Sequence, residues 1–358
     1  MRVEPFSIQV EEALLDDLRR RLRDTRWPSA APGEPWAQGT DLGYLRELVA
    51  YWADGYDWRA AERGLNAFEH FIADVDGVRV HYVHVRRGGI PLILTHGWPS
   101  AFIEPLALVE RLPGFDLVLP SLPGYGFSTR PERCSTRDVA SLWHRLMQGL
   151  GYERYAAGGG DWGAAVTTYM ALEAPECLLG IHLSNLDNAP PPAPPLTAGE
   201  RAFLAATAHW DATQRGYSFI QGTKPQTLAY GLTDSPTGLA AWILEKWRSW
   251  ADPAAHVDRD FLLTLVTLYW VTNTISTANR DYIDNRDAGT AALSEYVTVR
   301  TAIANFHHNR VSEGVLPREW ARRLYAVERF TDMPRGGHFA AAEAPDLLAA
   351  DITAFFAP

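Results

Sequence analysis

Gly159-Gly160-Asp161-Trp162-Gly163 places one carboxylate among small residues, where the apolar run Tyr155-Ala156-Ala157 gives way to the helix-forming stretch Ala164 to Leu172. Small residues permit a sharp strand-to-helix turn that pushes the central side chain outward. This is the geometry of a nucleophile elbow, with aspartate where serine often stands. The helix start beneath it favours an ionised carboxylate and offers backbone N–H groups to an oxyanion. A carboxylate is ionised at neutral pH and attacks without a base. Taken alone, the motif is equally a glycine-rich turn in which Asp161 only caps a helix.

Two further segments narrow the choice. His96-Gly97-Trp98-Pro99 follows the apolar run Pro91 to Thr95, the position from which such folds supply a second oxyanion donor, here the N–H of Trp98. His96 and Pro99 are candidate substrate contacts, and His96 can equally brace the turn. Gly336-Gly337-His338-Phe339 follows the last apolar run of the chain, so His338 can reach the elbow side chain. A histidine there suits the task that aspartate leaves undone, the activation of water.

These residues need a scaffold that gathers strand ends. Residues 1–75 read as a helical N-terminal segment. Leu14, Leu18 and Leu22 form one apolar stripe, Trp27-Pro28 stops that helix, and two more helices are expected over Tyr44 to Trp52 and Trp58 to Phe68. Phe71 to Asp74 and Val78 to Val85 alternate as strands around an Asp76-Gly77 turn. Apolar runs at Pro91 to Thr95, Phe115 to Pro120 and Leu178 to Leu183, with a helix over Thr136 to Leu150, then predict a mainly parallel, doubly wound sheet. The proline run from Pro190 to Pro195 reads as a stiff linker. From Leu196 to Arg286 only helices are expected, and strands return at Val297 to Ala304 and Ala326 to Thr331, before a helix from Pro345 to the end. The expected organisation is thus an N-terminal segment (1–75), a first part of an α/β core (76–189), a helical cap (190–286) and a second part of the core (287–358). A helical block between strands of one sheet covers the strands' C-terminal ends, where catalytic loops gather.

Along nearly its whole length the sequence resembles an epoxide hydrolase of the α/β-hydrolase superfamily, in the microsomal-type branch with an N-terminal extension. The resemblance rests on Asp24-Thr25-Arg26-Trp27-Pro28, the HGWPS motif at 96–100, Leu122-Pro123-Gly124-Tyr125-Gly126-Phe127-Ser128 and GGDWG. It continues through the run from Gln221 to Trp242 and Pro334-Arg335-Gly336-Gly337-His338-Phe339. It implies attack of Asp161 on an epoxide carbon, hydrolysis of the resulting ester by water that His338 activates, and release of a vicinal diol. The N–H groups of Trp98 and Trp162 would hold the oxyanion. Tyr217 and Tyr282, matched by position in the helical block, would hydrogen-bond the epoxide oxygen. The resemblance also asks for a carboxylate behind His338. Relatives carry Phe-Pro-x-Glu/Asp there, whereas this chain reads Phe306-His307-His308-Asn309-Arg310. Asn309 would orient an imidazole without stabilising its charged form, and Glu313 and Asp187 are the two carboxylates that could serve instead.

The 358 residues carry 33 Lys+Arg against 43 Asp+Glu, a formal net charge of −10, which argues against a nucleic-acid ligand. Cys134 and Cys177 are too few for a disulfide framework and are expected as thiols. No zinc spacing surrounds His307-His308, and Asp161-Trp162 would set charge and bulk against a dinucleotide pyrophosphate. No metal or cofactor is therefore expected. The N-terminal stretch has no signal-peptide pattern, and the most apolar run, Phe261 to Val271, is interrupted by Thr264 and Thr267. A cytoplasmic enzyme is expected, acting on an apolar or aromatic epoxide, with a homodimer allowed. The altered relay also admits a natural-product tailoring enzyme that opens an epoxide without water or forms a C–C bond. Haloalkane dehalogenation, with Trp162 as halide donor, uses the same aspartate chemistry.

Overall fold

The computed structural model describes residues 1–184, 186, 193, 195–290, 295–309 and 315–357. Asp187, Glu313 and most of the proline run lie outside the described residues. Among the described residues nine strands form one sheet: β1 (Arg2–Phe6), β2 (His70–Val75), β3 (Val78–Val85), β4 (Ile90–Thr95), β5 (Phe115–Pro120), β6 (Tyr155–Gly159), β7 (Leu178–Leu183), β8 (Val297–Phe306) and β9 (Tyr325–Met333). Their order is β1-β2-β3-β5-β4-β6-β7-β8-β9. The pairs β1–β2, β2–β3 and β3–β5 are antiparallel and the remaining pairs parallel.

β5 is buried along its whole length, as its unbroken apolar character requires of a strand covered on both faces. The β2–β3 turn takes positive φ at both Asp76 (52°) and Gly77 (82°), the hairpin geometry that an Asp-Gly pair favours. β1 corrects the reading of the N-terminus as wholly helical. Its five residues include Val3 and Pro5, both exposed. A short edge strand lacks the buried apolar alternation that marks a strand in sequence. The first helix, Glu12–Arg23, buries Leu15, Leu18 and Leu22 and leaves Leu14 half-buried. The third, Trp58–Leu65, ends before Phe68, with Asn66 at its C-cap.

The chain leaves β4 for β5 on one side and crosses to β6 on the other, so β4 and β6 lie side by side. Their register sets Thr95 opposite Gly159. Both the HGWP turn and the elbow therefore leave the sheet at one point, the switch point at which open α/β sheets bind ligands. Gly97 and Gly163 make the approach possible. A Cβ on Gly97 would run into the Asp161 side chain, and one on Gly163 into the Thr95 carbonyl. The helix beneath the elbow, Trp162–Glu173, is buried along almost all its length and packs on helix Thr136–Gly149. The latter begins with a reciprocal Ser135–Asp138 capping box.

Between β7 and β8 the described residues form helices only, from Ala198–Gln214 to Asp281–Ala288. The N-terminal segment buttresses this block. Trp52 Nε1 donates to Thr267 Oγ1 (2.9 Å), Tyr56 shares a hydrogen bond with Thr264 (2.8 Å), and Thr40 donates to the Ala241 carbonyl (2.7 Å). The two threonines that interrupt the most apolar run of the sequence are thus partners for buried aromatic polar atoms. Among the described residues no single helix is long and apolar enough to cross a membrane.

Asp281 ties the helical block to the core. Its carboxylate accepts from the Tyr125 hydroxyl (2.6 Å) and from Arg130 (2.5 Å), whose second arm reaches Asp284 (2.8 Å). The Arg130 side chain is 2% exposed and that of Asp281 12%. Removing one partner of such a pair strands a charge in the interior, so Arg130→Met should lower stability by about 3–5 kcal/mol. Urea unfolding of the two proteins measures the difference, and because Tyr282 follows Asp281 directly, activity should fall as well.

Candidate active site

Asp161 stands at the N-cap of the elbow helix with φ 54° and ψ −129°. A positive φ is costly for a residue with a Cβ, and strained backbone of this kind collects at functional sites. One carboxylate oxygen, Oδ1, accepts from two backbone donors, Trp98 N–H (2.8 Å) and Trp162 N–H (2.7 Å). These are the two donors expected to form an oxyanion hole, and they converge on one atom. The other oxygen, Oδ2, lies 3.3 Å from His338 Nε2. The carboxylate is therefore divided by function. Oδ1 sits where charge would develop on an ester carbonyl, and Oδ2 faces His338.

His338 is held by its loop rather than by a regular element. Its N–H donates to the Trp250 carbonyl (3.1 Å), and its ring packs edge-on against Trp250 (5.1 Å) and Phe339 (5.0 Å). Phe339 stacks on Trp247 at 3.6 Å. Two carboxylates that motif reasoning did not find fix the loop backbone. Glu343 accepts from Gly337 N–H (2.9 Å), Phe339 N–H (2.8 Å) and Asp252 N–H (2.6 Å), and Asp252 accepts from Gly336 N–H (2.9 Å). A Cβ on Gly337 would collide with the 250–252 backbone. No local pattern could have found Asp252, because it belongs to the helical block and becomes a loop anchor only when the chain folds.

Tyr217 and Tyr282 come together over the elbow. Their ring centroids are 5.7 Å apart, Tyr217 stacks on Trp98 at 5.3 Å, and Tyr282 meets Trp162 edge-on at 5.0 Å. Burial first, then Tyr217 and Asp161 beside it, push the Tyr282 hydroxyl well above its ordinary range. Raising that value favours the protonated form, so Tyr282 remains a donor through neutral pH. Lys246 Nζ lies 4.6 Å from the Tyr217 ring centroid, a cation–π contact that steadies the ring.

Residues 3–105 match the family model described as the epoxide hydrolase N terminus, and residues 90–207 match that of the alpha/beta hydrolase fold. A Stigmatella aurantiaca protein provisionally named an epoxide hydrolase is 38% identical over 99% of this chain and 84% of its own length. Epoxide hydrolase 1 of Sus scrofa is 31% identical over 99% of this chain and 88% of its own. The chain belongs to the epoxide hydrolase family. The structure of the Aspergillus niger epoxide hydrolase agrees over 99% of this chain and 96% of that one, with TM-score 0.88 and 29% identity.

Within this epoxide hydrolase scaffold, some expected site residues take other places. His96 does not present its polar atoms to a substrate. Its Nε2 accepts from Leu122 N–H (3.1 Å) and its Nδ1 is paired with the Gly97 carbonyl (3.0 Å). Burial pushes the His96 imidazole down to about 4, so the ring braces the turn as a neutral group. Pro99 follows a cis peptide bond, and its carbonyl accepts from Trp247 Nε1 (3.1 Å). It fastens the turn to the helical block. Asn309 is buried, but its side-chain carbonyl oxygen accepts no hydrogen bond. That oxygen is the atom a relay residue would use, so Asn309 does not orient the His338 imidazole in this arrangement. Glu313 and Asp187 lie outside the described residues.

The paired tyrosines carry a direct test. Tyr217→Phe and Tyr282→Phe should each slow ester formation by about 10²-fold while leaving the hydrolysis of preformed ester nearly unchanged. Stopped-flow tryptophan fluorescence separates the two phases. Because Tyr282 stays protonated, ester formation in the parent enzyme should not fall before about pH 10, the ordinary tyrosine value.

Proposed function

We propose that this protein hydrolyses epoxides to vicinal diols through an ester on Asp161. The observation that carries this reading is the divided carboxylate, with Oδ1 in a two-donor hole and Oδ2 facing His338. Oδ2 attacks an epoxide carbon, the C–O bond of the ring breaks, and the departing oxygen takes a proton from Tyr217 or Tyr282. Without that proton the leaving group would be an alkoxide. His338 then removes a proton from water, whose oxygen adds to Cγ of the ester. The negative charge gathers on Oδ1 and is held by the N–H groups of Trp98 and Trp162. Collapse breaks the Cγ–Oδ2 bond, the diol leaves with Oδ2 carrying the proton that His338 took from water, and the proton left on the Asp161 carboxyl returns to the tyrosinate.

The aromatic surroundings of this chemistry, Trp98, Trp162, Trp250, Tyr217 and Tyr282, favour an uncharged apolar or aromatic epoxide. A buried aromatic wall gains from apolar contact and leaves a carboxylate without a partner. A panel of aryl, alkyl and carboxylate-bearing epoxides tests this. kcat/KM should be highest for aryl or long alkyl substrates, and a preference for charged ones would refute it. Chloride release from chloroalkanes, measured alongside, should stay at background.

A further inference from the structure

Beside Asp161 lies a cavity of about 50 Å³ open to water-sized groups. Its lining includes Asp161, His338, Glu104, Ser100 and Ser184, with Leu94, Leu108, Leu348 and Ile352 forming an apolar wall. Neither Tyr217 nor Tyr282 lines it. A buried water needs roughly 10–15 Å³ of such space and two to four polar partners. The cavity thus suits a few waters and is too small for a substrate. We propose that it is the chamber of the hydrolytic water, and that Glu104 is the group that holds this water between His338 and the Asp161 ester.

Glu104 is placed for that work by backbone geometry. It closes the turn after HGWPS, with its N–H donating to the Ala101 carbonyl (3.0 Å), and stands at the N-cap of the 3-10 helix Pro105–Arg111. The same turn is fastened from the helical block, since Tyr269 donates its hydroxyl to the Ser100 carbonyl (2.7 Å). Water beside Glu104 can give one proton to His338 and donate the other as a hydrogen bond to the carboxylate. Its oxygen then adds to Cγ, so the His338 imidazole gains the proton and Glu104 ends unchanged. An ionised Glu104 accepts that hydrogen bond and strengthens the nucleophile, whereas a neutral one cannot accept as well.

The groups facing Glu104 are Asp161, His338 and Glu343, and His96 and His182 share the cavity wall. His182 is paired with Asp351 at 2.9 Å. Burial pushes the Glu104 carboxyl up to about 7, with Ser100 and His338 acting against it and Glu343 and Asp161 in the same direction as burial. The carboxyl is therefore neutral well below neutral pH and becomes the better acceptor as pH rises through about 7.

The proposal rests on the ester mechanism, and single-turnover kinetics with an aryl epoxide separates the two. If the parent enzyme forms no ester, the mechanism fails. If ester forms, Glu104→Gln should hydrolyse it about tenfold or more slowly while forming it within about twofold of the parent rate. The variant should also lose the part of the hydrolysis rise that the parent shows through neutral pH. Ester formation in the same trace reports that the variant is folded. Ala341→Leu, which fills the cavity and keeps Glu104, should slow hydrolysis selectively as well. Hydrolysis at the parent rate in Glu104→Gln, or equal slowing of both steps, overturns the assignment.

Discussion

Replacing Asp161 by asparagine is expected to abolish diol formation, with turnover falling on the order of 10⁴–10⁶-fold. The amide keeps the size of the side chain and can still accept from Trp98 and Trp162 through its oxygen. What it loses is the negative charge on the attacking atom, and a neutral amide does not open an epoxide. The elbow should survive, because asparagine has the size and branching of the aspartate that already holds this backbone conformation. Circular dichroism and thermal unfolding should match the parent. The variant should also show no fluorescence phase for ester formation, which distinguishes it from every other substitution considered.

His338→Gln should fail at the opposite end of the reaction. The first chemical step needs Asp161 and the tyrosines, so one equivalent of epoxide should be consumed in a burst. Hydrolysis then lacks its base, and steady-state turnover should fall by about 10²–10⁴-fold. Intact mass should show the protein plus one substrate, with the adduct on the peptide containing Asp161. A variant that neither consumes a first equivalent nor accumulates an adduct would show that His338 is needed before the ester forms. The 3.3 Å contact between its Nε2 and Oδ2 would then have to be read as part of the attack itself.

The reacting residues were legible in the sequence because each lies in a short segment that must turn sharply at a strand end. GGDWG, HGWP and GGHF declare their backbone geometry through glycine and proline, and the structure brings Asp161, Trp98 and His338 together. β3, β5 and β7 fall on the residues that apolar patterning marks. The tyrosines came from the family resemblance, since nothing local distinguishes Tyr217 or Tyr282 among 14 tyrosines. What was not legible depends on closure of the chain. Asp252 reaches the Gly336 N–H only across the fold, and its own N–H joins it to Glu343, which holds the neighbouring loop N–H groups locally. Glu104 becomes notable only when the cavity beside Asp161 exists. For His96 the sequence leaves a substrate contact and a turn brace both open, and only the fold selects the brace. Its satisfaction by Leu122 N–H requires the loop after β5 to pass above it, which its own sequence neighbours do not reveal.

The central claim is that the diol takes an oxygen from Asp161 and that water repairs the carboxylate. A single turnover with enzyme in excess, in water enriched in ¹⁸O, tests it directly. The diol from that turnover should carry no solvent label at the carbon attacked, and the peptide containing Asp161 should gain one ¹⁸O. A diol fully labelled on the first turnover, with Asp161 unlabelled, would show that water attacks the epoxide itself and would contradict the covalent route.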